Sequence, residues 1–245
     1  LTLELDAVRG LRTKPTYSDP LADQLRKRGE EHEQRYVASL RAQGLTVEDL
    51  TPFKDPKAPM AGKVARSLDA MRRGADVIVQ AALGNDTWSG YADVLVKVAG
   101  DSALGGWHYE AHDTKLARET RAGAILQLCV YSELLGEMQS RAPERFLVVT
   151  PAATHTYRVD EVAAYYRLVK AKLIDAADSA SRAGASAERA TYPDPVEHCS
   201  VCRWWEVCNA QRRKDDHIQF VANLGRNHKR ELEAHSVTTL TTLAE

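Results

Sequence analysis

The chain has 245 residues, 44% of them hydrophobic and 27% charged, with a formal net charge of -1. That length and apolar share are enough to bury a core, which excludes a disordered or low-complexity chain. No run approaches the roughly 18 consecutive apolar residues of a membrane helix, and the balanced charge excludes a globally basic binder, so affinity for phosphate must come from local patches.

No secretory signal is visible, which predicts a cytoplasmic protein without a membrane partner. The chain opens at Leu1 in mid-pattern, Leu-Thr-Leu-Glu-Leu, which predicts that residues precede it. Residues 1–20 read as a short amphipathic piece and a proline-containing loop, and residues 21–43 as a long charged helix stopping at Gly44. Residues 46–59 are polar and carry Pro52, Pro56 and Pro59, so they read as loop. A helix follows over residues 63–73. Residues 76–83 form an apolar strand, and Gly84-Asn85-Asp86 supplies the turn of a hairpin.

Residues 88–98 alternate, with Val94, Val96 and Val98 on one face and Tyr91, Asp93 and Leu95 on the other. After a turn at residues 100–106, residues 107–116 read as the next strand. Asp113 and Lys115 then share a face, with Glu110 and Thr114 on the opposite one, which favours Asp113 over Glu110 as the reactive carboxylate. A helix over residues 118–139 stacks Gln127 and Tyr131 one turn apart and turns Cys129 towards the core. A short strand over 145–150 and a helix over 160–180, with Tyr165, Leu168 and Leu173 on its apolar side, complete the core. Residues 179–190 are a small-residue linker.

A carboxylate on a half-buried strand is costly unless solvated, paired or bound to a cation. Two of them near one point, Asp93 and Asp113, make a hard oxygen-rich site suited to Mg²⁺ or Mn²⁺. Such an ion can polarise a phosphodiester and activate water, while Lys115 orients that water or stabilises charge on the phosphate. Asp-Thr-Lys alone reads more simply as a surface ion pair; Asp93 before it and Gln-x-x-x-Tyr after it turn the reading towards chemistry.

Asp93, Asp113-Thr114-Lys115 and Gln127-x-x-x-Tyr131 together resemble the PD-(D/E)xK nuclease superfamily, in particular its RecB-like branch with the CRISPR-associated exonucleases. The resemblance runs from about Gly29 to Cys208. It implies an α/β restriction-endonuclease-like core of order αβββαβ, metal-dependent catalysis and DNA as substrate. It also implies that His32, in Gly29-Glu-Glu-His32, is a further metal ligand, with Glu33 the fallback and the Thr114 backbone carbonyl completing the set. Gln127 and Tyr131 would position the substrate phosphate or the lysine, and Arg118 and Arg121 would contact the DNA backbone.

Cys199, Cys202 and Cys208 follow a C-x₂-C-x₅-C spacing in a helical C-terminal cap. In a cytoplasmic protein this suggests soft-metal ligation, an iron–sulfur cluster or zinc, rather than disulfides. Similar nucleases carry a fourth cysteine well upstream, and here only Cys129 is left, in mid-helix. The fourth ligand of a [4Fe–4S] cluster would then lie before Leu1; His198 completing a Cys₃His zinc site, or a degraded cluster of reduced thiols, are the alternatives. Trp204 and Trp205 are expected to pack around this cap.

The tail after Gln211-Arg-Arg-Lys resembles a helix–hairpin–helix, its first helix and turn starting at Phe220 and its second near Ser236, with Arg226, Lys229 and Arg230 near a phosphate. The expected division is residues 1–210 as nuclease domain with cap, and 211–245 as tail. The expected activity is hydrolysis of DNA, by an exonuclease acting on single-stranded ends in repair, recombination or phage defence, with a helicase or further domain as partner. A non-catalytic DNA-binding or scaffold module is the alternative from another class.

Overall fold

The computed structural model describes residues 2–16, 19–182 and 192–245. Most of the expected linker, residues 183–190, lies outside them. In chain order, α1 covers Thr2–Val8 and α2 covers Pro20–Ala42. The short strand β1 (Val47–Asp49) and a 3-10 turn (Thr51–Phe53) lead to α3 (Met60–Arg73). Three strands follow, β2 (Val77–Gly84), β3 (Ser89–Ser102) and β4 (Gly105–Thr114). Then come α4 (Ala122–Gln139), β5 (Arg145–Val149), β6 (Thr154–Arg158) and α5 (Val159–Arg182). The chain ends in α6 (Trp205–Lys214), α7 (Arg226–Ala234) and α8 (Leu240–Ala244).

Local chemistry explains several boundaries. Asp19 caps α2 by accepting from the backbone of Leu21 (2.9 Å) and Ala22 (3.2 Å), and Pro20 occupies the first turn, where a missing N–H costs nothing. Gly74 ends α3 at φ 76, a left-handed conformation that suits glycine. Asn85 Oδ1 accepts from the N–H of Thr87 (2.9 Å) and Trp88 (2.8 Å), closing the turn between β2 and β3.

The chain divides into two compact units. One is Asp19–Ala171; the other joins the N-terminal stretch to the residues from Lys172 onward. The cysteines share a unit with α1 and the tail, in which Trp204 Nε1 donates to Glu4 Oε1 at 2.8 Å and Arg9 donates to the Ser181 carbonyl at 2.8 Å.

The first unit is a mixed α/β layer structure around an open six-stranded sheet of order β1-β2-β3-β4-β5-β6. β1 and β2 are parallel, as are β4 and β5; the other neighbours are antiparallel. On one face, Val37 and Leu40 of α2 pack on Val77, Val79 and Val94. On the other, Ala70 and Met71 of α3 and Leu128, Leu134 and Leu135 of α4 pack on Ile78, Leu95, Tyr109 and Phe146. α4 is apolar nearly all round because it is covered nearly all round.

Both edge strands escaped the sequence reading. β1 lies in the stretch expected to be loop: three residues carry no usable period, and only pairing with β2 makes them a strand. β6 alternates exposed and half-buried residues, as a solvated edge does. The apolar side expected for α5 is also corrected. Tyr165, Leu168 and Leu173 are 60%, 52% and 46% exposed, and the stripe that packs on the core runs through Val159, Val162 and Tyr166 instead. Among the described residues no helix is long and apolar enough to cross a membrane.

Candidate active site

The first unit gathers its chemistry where β3 and β4 part. Their ladder is paired from Val94↔His112 outwards, and the next step along this register sets Asp93 opposite Asp113. There the backbone ladder gives way to a side-chain bond: Asp93 Oδ2 accepts from the Thr114 N–H at 2.9 Å and from its hydroxyl at 3.2 Å. Strand alternation slips at the same level. Val77 and Val79 pack against α2, yet Ala81 and Leu83, which strict alternation would keep on that side, pack on the opposite face. The slip falls at Gln80, whose φ of 55 is left-handed for a non-glycine residue.

Asp113 is 1% exposed. Its Oδ1 accepts from Lys115 Nζ at 2.9 Å. The ammonium also stands 2.8 Å from Oδ2, which is sealed from water. Burial, and then the negative charge of Asp93, push the Asp113 carboxyl up to about 6; Lys115 opposes both. The site thus holds two carboxylates that repel each other, with one lysine only partly compensating. Such a donor set fits a hard divalent cation, whose charge would reverse this repulsion.

Tyr131 roofs the site from α4, and Gln127 Nε2 donates to its hydroxyl at 2.8 Å. Burial raises the phenol's pKa, and the charges of Asp93 and Asp113 add to the effect. A Cβ at Gly90 would stand 2.8 Å from Tyr131 Cε1, so this ring lies over β3 only because residue 90 has no side chain. Cys129 is buried in the core between them, 2% exposed. Glu110, on the other face of β4, accepts the backbone N–H of Arg145 at 3.2 Å and takes no part. His112 is held neutral by burial, which pushes its imidazole down to about 4, and a 2.7 Å hydrogen bond between its Nδ1 and the Tyr36 hydroxyl ties β4 to α2.

The residues expected from α2 stand differently. His32 is buried, with Nε2 3.0 Å from the Val149 carbonyl, which also accepts the Lys115 N–H. Glu33 is the α2 side chain that feels Asp93: burial, first, and Asp93 raise its carboxyl, while a hydrogen bond from Gln80 Nε2 at 2.7 Å and the charge of Lys54 oppose this. Among the described residues no three His, Cys, Asp or Glu side chains are gathered into a metal-holding group. The structure therefore brings Asp93, Asp113, Lys115, Gln127 and Tyr131 together and leaves the His32 imidazole on a carbonyl.

Gln80 and Lys54 were missed by sequence reading. Gln80 could have been found as the one polar residue of Val-Ile-Val-Gln-Ala-Ala-Leu. Lys54 sat in presumed loop and carried no signal. Arg118 and Arg121 are exposed on the connection from β4 to α4.

In the second unit, Cys199 lies in a 3-10 turn (Glu197–Val201), Cys202 caps its end and Cys208 lies on α6, all half-buried. Burial raises the Cys208 thiol, Arg212 opposes, and the neighbouring Cys202 and Cys199 raise it further. Three soft sulfurs suit iron or zinc by donor type, but they are not gathered as a ligand group. His198 is exposed. Trp204 is buried at 4%, and Trp205 is exposed, with the Arg212 guanidinium 4.9 Å from its ring centre. The expected helix from Phe220 is corrected: residues 221–225 are turn, with Asn223 at φ 61, and α7 starts only after Gly225. Arg226 and Arg230 are exposed, whereas Lys229 is bound to Asp194 and Glu233 and is not free for a phosphate.

No protein-family model and no curated protein matches this sequence.

Proposed function

We propose that the chain is a divalent-metal-dependent deoxyribonuclease of the PD-(D/E)xK type, built on an αβββαβ core within its sheet, and an exonuclease on single-stranded ends. The observation that carries the reading is the buried Asp113 carboxylate, set against Asp93 and held by Lys115. Asp93 and Asp113 would hold a Mg²⁺ or Mn²⁺ ion, with the Thr114 carbonyl and Glu33 or His32 from α2. When bound, such an ion supplies Lewis acidity towards a phosphate oxygen and a water of lowered pKa. Thr114 fixes the direction of the Asp93 carboxylate. Lys115 holds its protons beside the place a phosphate would take and stabilises negative charge there. Gln127 and Tyr131 wall the site and fix a scissile phosphate from α4, and Arg118 and Arg121 meet the backbone beyond it.

The three cysteines would hold iron–sulfur or zinc; what supports this is their donor type and their C-x₂-C-x₅-C spacing. A cytoplasmic setting and a helicase or further-domain partner belong to the same proposal. A second reading, a non-catalytic DNA-binding module, is favoured by the His32 imidazole resting on the Val149 carbonyl.

The test is cleavage of single-stranded DNA, free or blocked at either end, with Mn²⁺ or Mg²⁺. Wild type degrades it from one end; Asp113→Ala and Lys115→Ala do not. Binding without cleavage under both metals would replace the nuclease by the binding module. Visible absorption, and metal analysis of anaerobically purified protein, separate iron–sulfur from zinc.

A further inference from the structure

We propose that the shallow groove between Phe53 and Tyr91 is the track along which a single strand of DNA reaches the carboxylate pair. The proposal takes its substrate class from the nuclease reading; the groove itself is a separate set of observations. Its lining includes Phe53, Lys54, Lys63, Arg66, Gln80 and Tyr91.

Each ring in this groove carries a cation. The Arg66 guanidinium is 4.0 Å from the centre of Phe53, and the ammonium groups of Lys54 and Lys63 are 4.5 and 5.9 Å from the centre of Tyr91. Phe53 is 44% exposed, so its ring can be reached from solvent. Arg72 and Arg73, further along α3, pair with Asp69 and Glu48. Among the described residues no carboxylate stands within ion-pair distance of Lys54, Lys63 or Arg66, and their charge is available to a ligand. Rings and cations side by side are what an unpaired strand uses: a phosphate can draw a cation off its ring, and a base can stack on the face it leaves. A duplex hides its base faces and could use only the cations. The net charge of -1 requires that such affinity be local.

The groove also leads to the site. Lys54 Nζ donates to Gln80 Oε1 at 2.7 Å, and Gln80 Nε2 donates at 2.7 Å to Glu33 Oε1, the α2 carboxylate offered above to the metal. Gln80, which lines the groove and bonds Glu33, holds a left-handed backbone, and retained strain of this kind concentrates at functional positions.

The experiment uses the full chain in EDTA, with a fluorescein-labelled oligothymidylate read by anisotropy, and a 5-iodouracil oligonucleotide photo-crosslinked and mapped by mass spectrometry. Wild type should bind with a strong salt dependence and crosslink at Tyr91 or Phe53. Phe53→Ala should weaken binding on the order of tenfold, as loss of one stacked base does. Should that variant lose its circular dichroism signature, Lys63→Glu, a surface charge reversal, carries the same test. Wild type that cleaves DNA, with variants of undiminished affinity and crosslinks elsewhere, overturns the groove and leaves the nuclease. Crosslinks in the groove without cleavage under any metal keep the groove and overturn the nuclease. Absence of binding overturns the groove, whatever cleavage shows.

Discussion

Thr114 gives both its backbone N–H and its hydroxyl to one oxygen of Asp93, and this is the contact that joins β3 to β4 where their ladder ends. Thr114→Val keeps the branch and the backbone bond and removes the hydroxyl bond. The expected loss is about 1 kcal/mol in urea denaturation. A rise in the Mn²⁺ concentration needed for half-maximal cleavage should accompany it, since Asp93 is then free to turn. Unchanged metal dependence would mean that the hydroxyl does not orient the carboxylate.

Asp113→Asn separates stability from activity. The wild-type carboxylate is buried, repelled by Asp93 and only partly compensated by Lys115, which at 35% side-chain exposure can reach water without it. The variant should therefore melt at the same or a higher temperature in EDTA, and lose both cleavage and the rise in melting temperature that Mn²⁺ confers on the wild type. A large destabilisation in EDTA would show that the Asp113–Lys115 pair is structural.

Gly90→Ala puts a methyl group 2.8 Å from the Tyr131 ring. The ring belongs to a packed core helix and cannot swing far. Overpacking of this kind costs about 1–3 kcal/mol. A urea midpoint equal to the wild type's would show that Tyr131 has room to move.

Asp76 ties the start of β2 to Thr46 and Lys97. Its carboxyl is held well below the usual range by the Lys97 ammonium first, and then by the hydroxyl and N–H of Thr46. A depressed carboxylate stabilises the fold above its unfolded pKa of about 3.9 and loses that contribution as pH falls towards the folded value. Asp76→Asn should cost about 1 kcal/mol at neutral pH, discounted for partial exposure. The gap between variant and wild type should close below about pH 4, where the unfolded carboxylate is protonated. A gap constant down to acid would place the effect in packing rather than charge.

Much of the first unit was legible because its strands and helices repeat a pattern over enough residues. The turn at Asn85, the end of α2 near Gly44 and the shared face of Gln127 and Tyr131 all follow from local chemistry and period. Spacing also put Asp113 and Lys115 on one side of their strand, with Glu110 on the other, where it binds the Arg145 backbone. β1 was not legible, because three residues cannot show a period. The buried stripe of α5 was misread because Tyr165, Leu168 and Leu173 are as apolar as the residues that do pack.

Which side chains would stand in one strand, and how far apart, was therefore settled along the chain by geometry alone. How Asp93 meets Asp113, that the His32 imidazole comes to rest at the Val149 carbonyl, and that Lys54 reaches Glu33 through Gln80 were decided only in three dimensions. Burial, repulsion between carboxylates and a slipped strand face depend on neighbours far away in sequence, and no local period encodes them.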